Sequence, residues 1–151
     1  MHLVTYLGLL HRAEDSLADA FREVAGAHPD EPDVHQDCIR MARQCEGHVE
    51  RLAPFLDRYG EAPEDEPERL HAALFRGGRT GGLGLLRDLH DLYVMAAASD
   101  MAWTIIGQAA QGARAPDLLD VVASCERDTT IQQSWLRTRM KAAAPQALVV
   151  A

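Results

Sequence analysis

Four stretches of this chain carry apolar residues at alternating steps of three and four, the spacing that puts them on one face of an α-helix. The first stripe reads Leu, Leu, Leu, Glu, Leu, Phe, Val at positions 3, 7, 10, 14, 17, 21 and 24. The second reads Val, Cys, Met, Cys, His, Leu, Phe, Tyr at positions 34, 38, 41, 45, 48, 52, 55 and 59. Helices with one apolar face bury it against one another, so the pattern predicts an all-α bundle of four helices.

Helix-breaking residues between the stripes give the bounds of the predicted helices. Pro29 and Pro32 bracket an acidic turn after the first stripe, Gly60 follows the second, and Pro145 follows the last. We predict helices at about residues 2–27, 33–59, 85–111 and 117–143 within a single domain, residues 1–151. The third and fourth stripes consist of Leu85, Leu89, Leu92, Ala96, Trp103, Ile106 and Ala110, and of Leu118, Val122, Cys125, Thr129, Gln132, Leu136 and Met140.

Residues 60–84 break the helical rhythm, because GEAPEDEPERLHAALFRGGRTGGLG is rich in proline, glycine and acidic residues. Neighbouring antiparallel helices need a connection of only a few residues. This connection is long enough to cross from one end of a bundle to the other, and it includes one short helical piece at about residues 67–75. The expected fold is therefore two antiparallel helix hairpins joined by a long crossover. A phosphate-binding interpretation of RGGRTGGLG is weaker, since no strand precedes it and the Gly-Lys-Ser/Thr ending is missing.

The net charge of the chain indicates which classes of partner to expect, and its cysteine content indicates the redox state of its cellular compartment. The formal net charge is −8, which disfavours nucleic acid and anionic membrane surfaces as partners. No stretch approaches the roughly 18 apolar residues of a transmembrane helix, and the N-terminus has no basic leader of a signal peptide. The three cysteines are an odd number without a closely spaced pair, which favours a reduced, cytoplasmic protein over a disulfide-linked secreted one.

Polar residues interrupt the middle of every predicted helix. Counted from the two short turns at 1.5 Å per residue, they fall within about one helical turn of a common level. Six such residues form the predicted polar layer: Glu14, Cys45, His48, Asp100, Cys125 and Asp128. Polar interruptions from all four helices at one level predict a site inside the bundle.

The residue types in this layer are those of a transition-metal site. A buried, ionised Glu14 must be protonated, paired or bound to a cation, because an isolated carboxylate costs several kcal/mol to bury. Cys45 and His48 are three apart, so they share a helix face and can point at one ion. A ligand set of carboxylate, imidazole and thiolate favours zinc or iron over magnesium or calcium.

Ordinary core roles remain open for the same residues. Glu14 can hydrogen-bond to His48 or Gln132, and His48 can be a satisfied core histidine. Cys45 and Cys125 can pack as small apolar residues or form a disulfide across the bundle. Asp100 can lie at the solvent-exposed edge of its stripe, and two stripe registers fit Asp128.

The layout, together with Glu14 and the segment EGHVERLAPFLDRYG, resembles the ferritin-like superfamily, and most nearly the small bacterial stress-associated group often called YciF-like. The resemblance implies a di-iron centre built from a Glu on each of two helices and a Glu-x-x-His on each of the other two. Glu14 matches the first Glu and His48 the first His. Asp100 stands for the acid of the third helix, and Asp128 supplies a carboxylate from the fourth.

The ligand motif is only partly kept. Cys45 stands where a Glu should precede His48, and the fourth helix offers Cys125 and Asp128 in place of Glu and His. The resemblance covers nearly the whole chain as architecture, and the modified ligands leave the presence of an enzyme activity open.

Two functional hypotheses follow. In the first, the chain is a ferritin-like protein that binds iron or zinc at the polar layer and handles iron or oxidative stress. In the second, it is a non-catalytic bundle that has lost its metal centre and works as a dimeric structural or partner-binding protein. Under either, we expect a homo-oligomer, most simply a dimer. The apolar tail, residues 145–151, is expected to dock on its own bundle or on a partner subunit.

Overall fold

The computed structural model describes residues 2–60 and 75–150, and over these residues it contains four long α-helices and no β-strand. The helices are α1 (Leu3–Ala27), α2 (Pro32–Tyr59), α3 (Gly81–Gly112) and α4 (Pro116–Pro145). The predicted all-α class is confirmed. The short helix predicted at residues 67–75 falls outside the described residues apart from its last position.

The first pair of helices packs side by side, as does the second pair, and α1 also contacts α3. Two side-chain pairs give the relative direction of α1 and α3. Glu14 bonds to Trp103, and His28, just beyond the end of α1, bonds to Asp88 near the start of α3. Residue numbers rise along α1 while they fall along α3, so these two helices are antiparallel.

Helices α2 and α4 are also antiparallel. Arg139 bonds to Asp33 at the start of α2, whereas Arg58 near the end of α2 bonds to Asp117 at the start of α4. Because α1 is antiparallel to both α2 and α3, the end of α2 and the start of α3 lie at opposite ends of the bundle. The path between them includes residues 61–74, which are outside the described part of the chain.

The predicted stripes form the core. Every stripe residue of α1 and α3 is buried, and in α2 and α4 only Tyr59 and Met140 are partly exposed. The core divides into two apolar clusters, with Leu17 of α1 in one and Leu10 in the other. Glu14 lies between these two leucines on the same face. A polar layer therefore separates the two halves of an otherwise apolar core.

Helix α3 begins at Gly81, four residues before the predicted start at residue 85. The prediction stopped short because glycines fill most of this first turn and glycine is a poor helix former. Packing explains the helix instead. Gly84 is buried, and a Cβ there would lie only 2.9 Å from the Cβ of Arg79, so the close approach requires glycine.

A buried ionic cluster holds the start of α3 against the end of α1. Asp88 is fully buried and accepts hydrogen bonds from the backbone N–H of Arg79 (2.9 Å) and from its Nη1 (2.7 Å). Nε2 of buried His28 lies 2.7 Å from Oδ2 of Asp88. We call these residues the His28–Asp88–Arg79 cluster.

The C-terminal end differs from the prediction. Helix α4 continues through residue 143 to Pro145, and one wide helical turn, Gln146–Val150, follows it beside the start of α3. Proline lacks an N–H, and a wider turn accommodates the missing bond better than a regular α-turn. The turn lies against α3 and α4, while the side chains of Leu148, Val149 and Val150 are 64, 80 and 68% exposed. Docking of the tail on a partner subunit stays a prediction.

Candidate metal centre

Glu14 places a carboxylate in the middle of the core. It belongs to the inward stripe of α1 and is only 1% exposed. Its Oε1 accepts a hydrogen bond of 2.9 Å from the indole Nε1 of Trp103. Its Oε2 has no hydrogen-bond partner among the described residues. A buried carboxylate oxygen without a partner is costly, so a proton or a cation is needed to complete this site.

His48 lies on α2 with its two ring nitrogens in different surroundings. Nε2 is 2.9 Å from Oδ2 of Asp128 on α4. Nδ1 lies 3.3 Å from Oε1 of Glu14 but makes no hydrogen bond, because the two groups are not aligned for one. The imidazole also meets the ring of Trp103 edge to face, with centroids 5.7 Å apart. One nitrogen is therefore held by a carboxylate, and the other is left without a bond.

Cys45 lies one helical turn before His48 and is fully buried. Its Sγ is 3.7 Å from Nε2 of Gln132 and 4.0 Å from Oε1 of the same side chain. Nε2 of Gln132 also donates to Oε1 of Gln44 at 3.0 Å. The Gln132 amide thus ties α4 to α2 beside the thiol.

The carboxylate of Glu14, the thiol of Cys45 and the imidazole of His48 come together as one group. One ligand atom from each lies within 4.8 Å of the other two, and this is the one such group found over residues 2–60 and 75–150. Zinc bonds of about 2.0–2.3 Å place tetrahedral ligand atoms roughly 3.3–3.8 Å apart. The group can therefore close around one ion through side-chain movements of about 1 Å.

Electrostatics keep His48 and Cys45 protonated when no ion is bound. Burial by itself lowers the pKa of His48, but contacts with Cys125 and Glu14 outweigh it and raise that pKa to about 10. Burial, followed by the charge of Glu14, raises the pKa of the Cys45 thiol well above its usual value. At neutral pH the layer consists of an imidazolium between two carboxyl groups, beside a neutral thiol.

The other three predicted site residues lie outside this group. Asp128 touches His48 from the side away from Glu14, so it positions the ring rather than joining the ligands. Cys125 is fully buried, and its Sγ lies 3.7 Å from Nη1 of Arg51. Asp100 is half-buried at the edge of its stripe, and burial raises its pKa. All three cysteines are free, so the structure contains no Cys45–Cys125 disulfide.

Trp103 and Gln132 are site residues that the sequence analysis assigned mainly to the core. Both were on predicted stripes, and both reach the polar layer with side-chain hydrogen bonds. A signal was present for Trp103, because a buried indole N–H needs an acceptor and Glu14 is the acid at its level. For Gln132 the signal was the amide itself, since a buried amide is nearly always hydrogen-bonded.

Comparisons with protein-family models, with curated proteins and with solved structures find no match to this chain. No helix in the described part of the chain is long and apolar enough to cross a membrane.

Proposed function

We propose that this protein is a ferritin-like four-helix bundle that binds one transition-metal ion between Glu14, Cys45 and His48. The observation that carries the proposal is a pair of buried atoms, Oε2 of Glu14 and Nδ1 of His48, that have no hydrogen bond among the described residues. They belong to the same compact group as the Cys45 thiol. An ion at this point would give both atoms the partner that they lack.

The surroundings of the group support the same assignment. A histidine that binds a metal usually has its other ring nitrogen hydrogen-bonded to a carboxylate or carbonyl, which fixes the ring and its tautomer. In this protein the carboxylate of Asp128 lies within hydrogen-bond distance of Nε2 of His48. Trp103 holds Oε1 of Glu14, which leaves Oε2 for the ion.

The ligand types indicate zinc or ferrous iron. Thiolate and imidazole are preferred by these ions, whereas magnesium and calcium prefer oxygen ligands only. Three protein ligands leave one tetrahedral position open, and an ion in such a site supplies Lewis-acid chemistry when bound. Cys45, buried and in contact with Gln132, is the ligand that distinguishes this set from an all-oxygen site.

A di-iron centre does not fit the residues present. It would need carboxylates from all four helices and two histidines, whereas the group contains one carboxylate and one histidine. On α3 the residue that reaches Glu14 is Trp103, and on α4 the residue that reaches Cys45 is Gln132. We therefore propose a single ion. A role in iron or oxidative-stress handling rests on the ferritin-like resemblance alone and stays a prediction.

The directions of the helices support the ferritin-like assignment. Helices α2 and α3 point the same way, and this supports a connection that crosses from one end of the bundle to the other. Helix α2 contains 28 residues, which corresponds to about 42 Å at 1.5 Å per residue. The linking residues 60–80 can span up to about 70 Å when extended. The chain is thus long enough for the single crossover that ferritin-like folds contain.

One observation favours the alternative, a bundle that has lost its metal centre and acts as a structural or partner-binding protein. With His48 protonated, its imidazolium lies between the carboxyl groups of Glu14 and Asp128, a line of ion pairs across three helices that forms without a metal ion. A metal would have to displace the protons of His48 and Cys45, which weakens its binding.

Metal analysis of the protein purified without chelator distinguishes the two functions. We expect one zinc or iron ion per chain by mass spectrometry, or uptake of one ion after addition. Cobalt(II) serves as a probe, because thiolate binding gives it a charge-transfer absorption. That absorption should disappear in Cys45→Ser and persist in Cys38→Ser, its matched control, which is an equally buried cysteine on α2 outside the group. Folded protein that takes up neither zinc, iron, manganese nor cobalt would contradict the metal site and leave the alternative.

A further inference from the structure

The three residues of the proposed metal site all belong to the first helix hairpin, which α1 and α2 form. Glu14 lies on α1, and Cys45 and His48 lie on α2. In the described part of the chain, each of them has one hydrogen-bonding side chain on the second hairpin, which α3 and α4 form. Those three side chains are Trp103, Asp128 and Gln132. The first hairpin therefore supplies the ligands, and the second supplies their polar contacts.

Both polar atoms of the Gln132 amide lie beside the sulfur of Cys45. Nε2 is 3.7 Å from Sγ, and Oε1 is 4.0 Å from it. Hydrogen bonds to sulfur are longer than those to oxygen, because sulfur is the larger atom. The amide oxygen can accept a bond from a thiol, and the amide nitrogen can donate one to a thiolate. One side chain thus serves Cys45 in both of its forms.

Gln44 determines which way this amide points. Nε2 of Gln132 donates a hydrogen bond of 3.0 Å to Oε1 of Gln44 on α2. An amide nitrogen carries two N–H groups, so the second one remains for Cys45. Gln132 is only 1% exposed, and solvent water therefore does not compete for that hydrogen. The nitrogen of the amide is held beside the sulfur by a contact with the same helix that carries the sulfur.

A metal-bound Cys45 needs a hydrogen-bond donor. A metal ion binds cysteine as the thiolate, and Cys45 is fully buried. Nε2 of Gln132 is the one side-chain donor to this sulfur over residues 2–60 and 75–150. Hydrogen bonds to a charged group are stronger than those between neutral groups. Exchange of the S–H···O bond for an N–H···S bond therefore favours the state with the ion bound.

We infer that Gln132 is a positioning residue, which donates an N–H···S hydrogen bond to the thiolate of Cys45 when the ion is bound. It acts on Cys45 as Asp128 acts on His48, through a contact that crosses from the second hairpin to the first. The inference rests on the proposed metal site. Its consequence is that the second hairpin sets the affinity for the ion, although it contributes no ligand.

The absorption of bound cobalt(II) reports this hydrogen bond. An N–H···S bond lowers the energy of the sulfur lone pairs, so its removal moves the thiolate-to-cobalt absorption to longer wavelength. We expect that shift in Gln132→Leu, which keeps a similar side-chain volume, together with at least about 10-fold weaker binding. Gln133→Leu is the matched control and should change neither property. Gln133 is half-buried and lies about 100° further round the same helix.

A second variant, Gln44→Leu, removes the acceptor that orients the amide. It should shift the absorption in the same direction, and it provides the test if circular dichroism shows that Gln132→Leu is unfolded. A natural chain that binds no cobalt would contradict the metal site and this inference with it. Bound cobalt with the same absorption in the natural chain and in the folded variants would overturn the role of Gln132 alone. Weaker binding without a shift would do the same, because lost packing explains it.

Discussion

The indole N–H of Trp103 donates a hydrogen bond to Oε1 of Glu14, joining α3 to α1 through the centre of the core at 2.9 Å. Both residues are almost fully buried. Removing one partner of a buried hydrogen bond leaves the other partner unsatisfied, which costs about 1–3 kcal/mol. This contact therefore stabilises the bundle and also fixes the carboxylate for the proposed ion.

Replacement of Trp103 tests the structural part of that statement. We expect Trp103→Phe to lower the free energy of unfolding by about 2–4 kcal/mol, because Glu14 loses its donor and the core loses volume. Trp135→Phe should cost less than about 1.5 kcal/mol, since Trp135 is only partly buried and its indole makes no hydrogen bond to any described residue. Urea unfolding of both variants gives the comparison. Equal losses would show that the Trp103–Glu14 bond contributes little.

Asp128 provides a test of the metal site that leaves the three ligands in place. Asp128→Asn should weaken zinc binding by about 10–100-fold, because the neutral amide holds His48 less firmly. The stoichiometry of one ion per chain should not change. Competition with a chromogenic chelator measures the affinity, and Asp120→Asn, an exposed position on the same helix, is the control. Identical affinities in the two variants would argue against a supporting role for Asp128.

The cysteines give a prediction about thiol reactivity. All three are buried and free, and burial raises the pKa of Cys38 to about 12, so its reactive thiolate is scarce. We expect the native protein to react slowly with a thiol reagent at pH 8 and the unfolded protein to show three thiols without prior reduction. A count of one thiol after unfolding would instead indicate a disulfide between two of them.

The Arg58–Asp117 pair at the surface has a defined pH dependence. The hydrogen bond from Arg58 lowers the pKa of Asp117 below its ordinary value of 3.8. A lowered carboxyl pKa stabilises the folded state above the unfolded pKa, and this contribution disappears as the pH falls through the folded pKa. Asp117→Asn should therefore reduce Tm equally at pH 7 and pH 5, and progressively less below about pH 4. Asp120→Asn, three residues further on α4, should show no such trend, and a difference that persists in acid would refute the assignment.

Much of the fold follows from the sequence because its stripes are regular. Seven positions of α1 follow alternating steps of four and three, and all of them are buried in the structure. The start of α3 was harder to predict, because the glycines around Gly84 are helical for reasons of packing with Arg79 rather than propensity. The α-helical part of α4 ends at Pro145, as the sequence predicts, but the wide turn that continues to Val150 has no signal in the sequence pattern.

The sequence predicts the level of the candidate site in the bundle, but it does not predict which side chains touch there. Helix spacing places Glu14, Cys45 and His48 inward, and the structure brings their ligand atoms together. Spacing alone does not give the rotation of α3 and α4 against the other helices. That rotation turns Trp103 rather than Asp100 toward Glu14, and it places Asp128 against the far nitrogen of His48.

The His28–Asp88–Arg79 cluster has a consequence for how the two halves of the molecule assemble. A slide of one helix past another by one turn is a movement of about 5.4 Å along the bundle axis. The same slide between hairpins would set the fully buried Asp88 against hydrocarbon and separate it from His28. A buried carboxylate deprived of its partners is strongly unfavourable. Asp88 at one end of the bundle, together with the Trp103–Glu14 bond at its centre, therefore restricts the two hairpins to one docking position along the bundle axis.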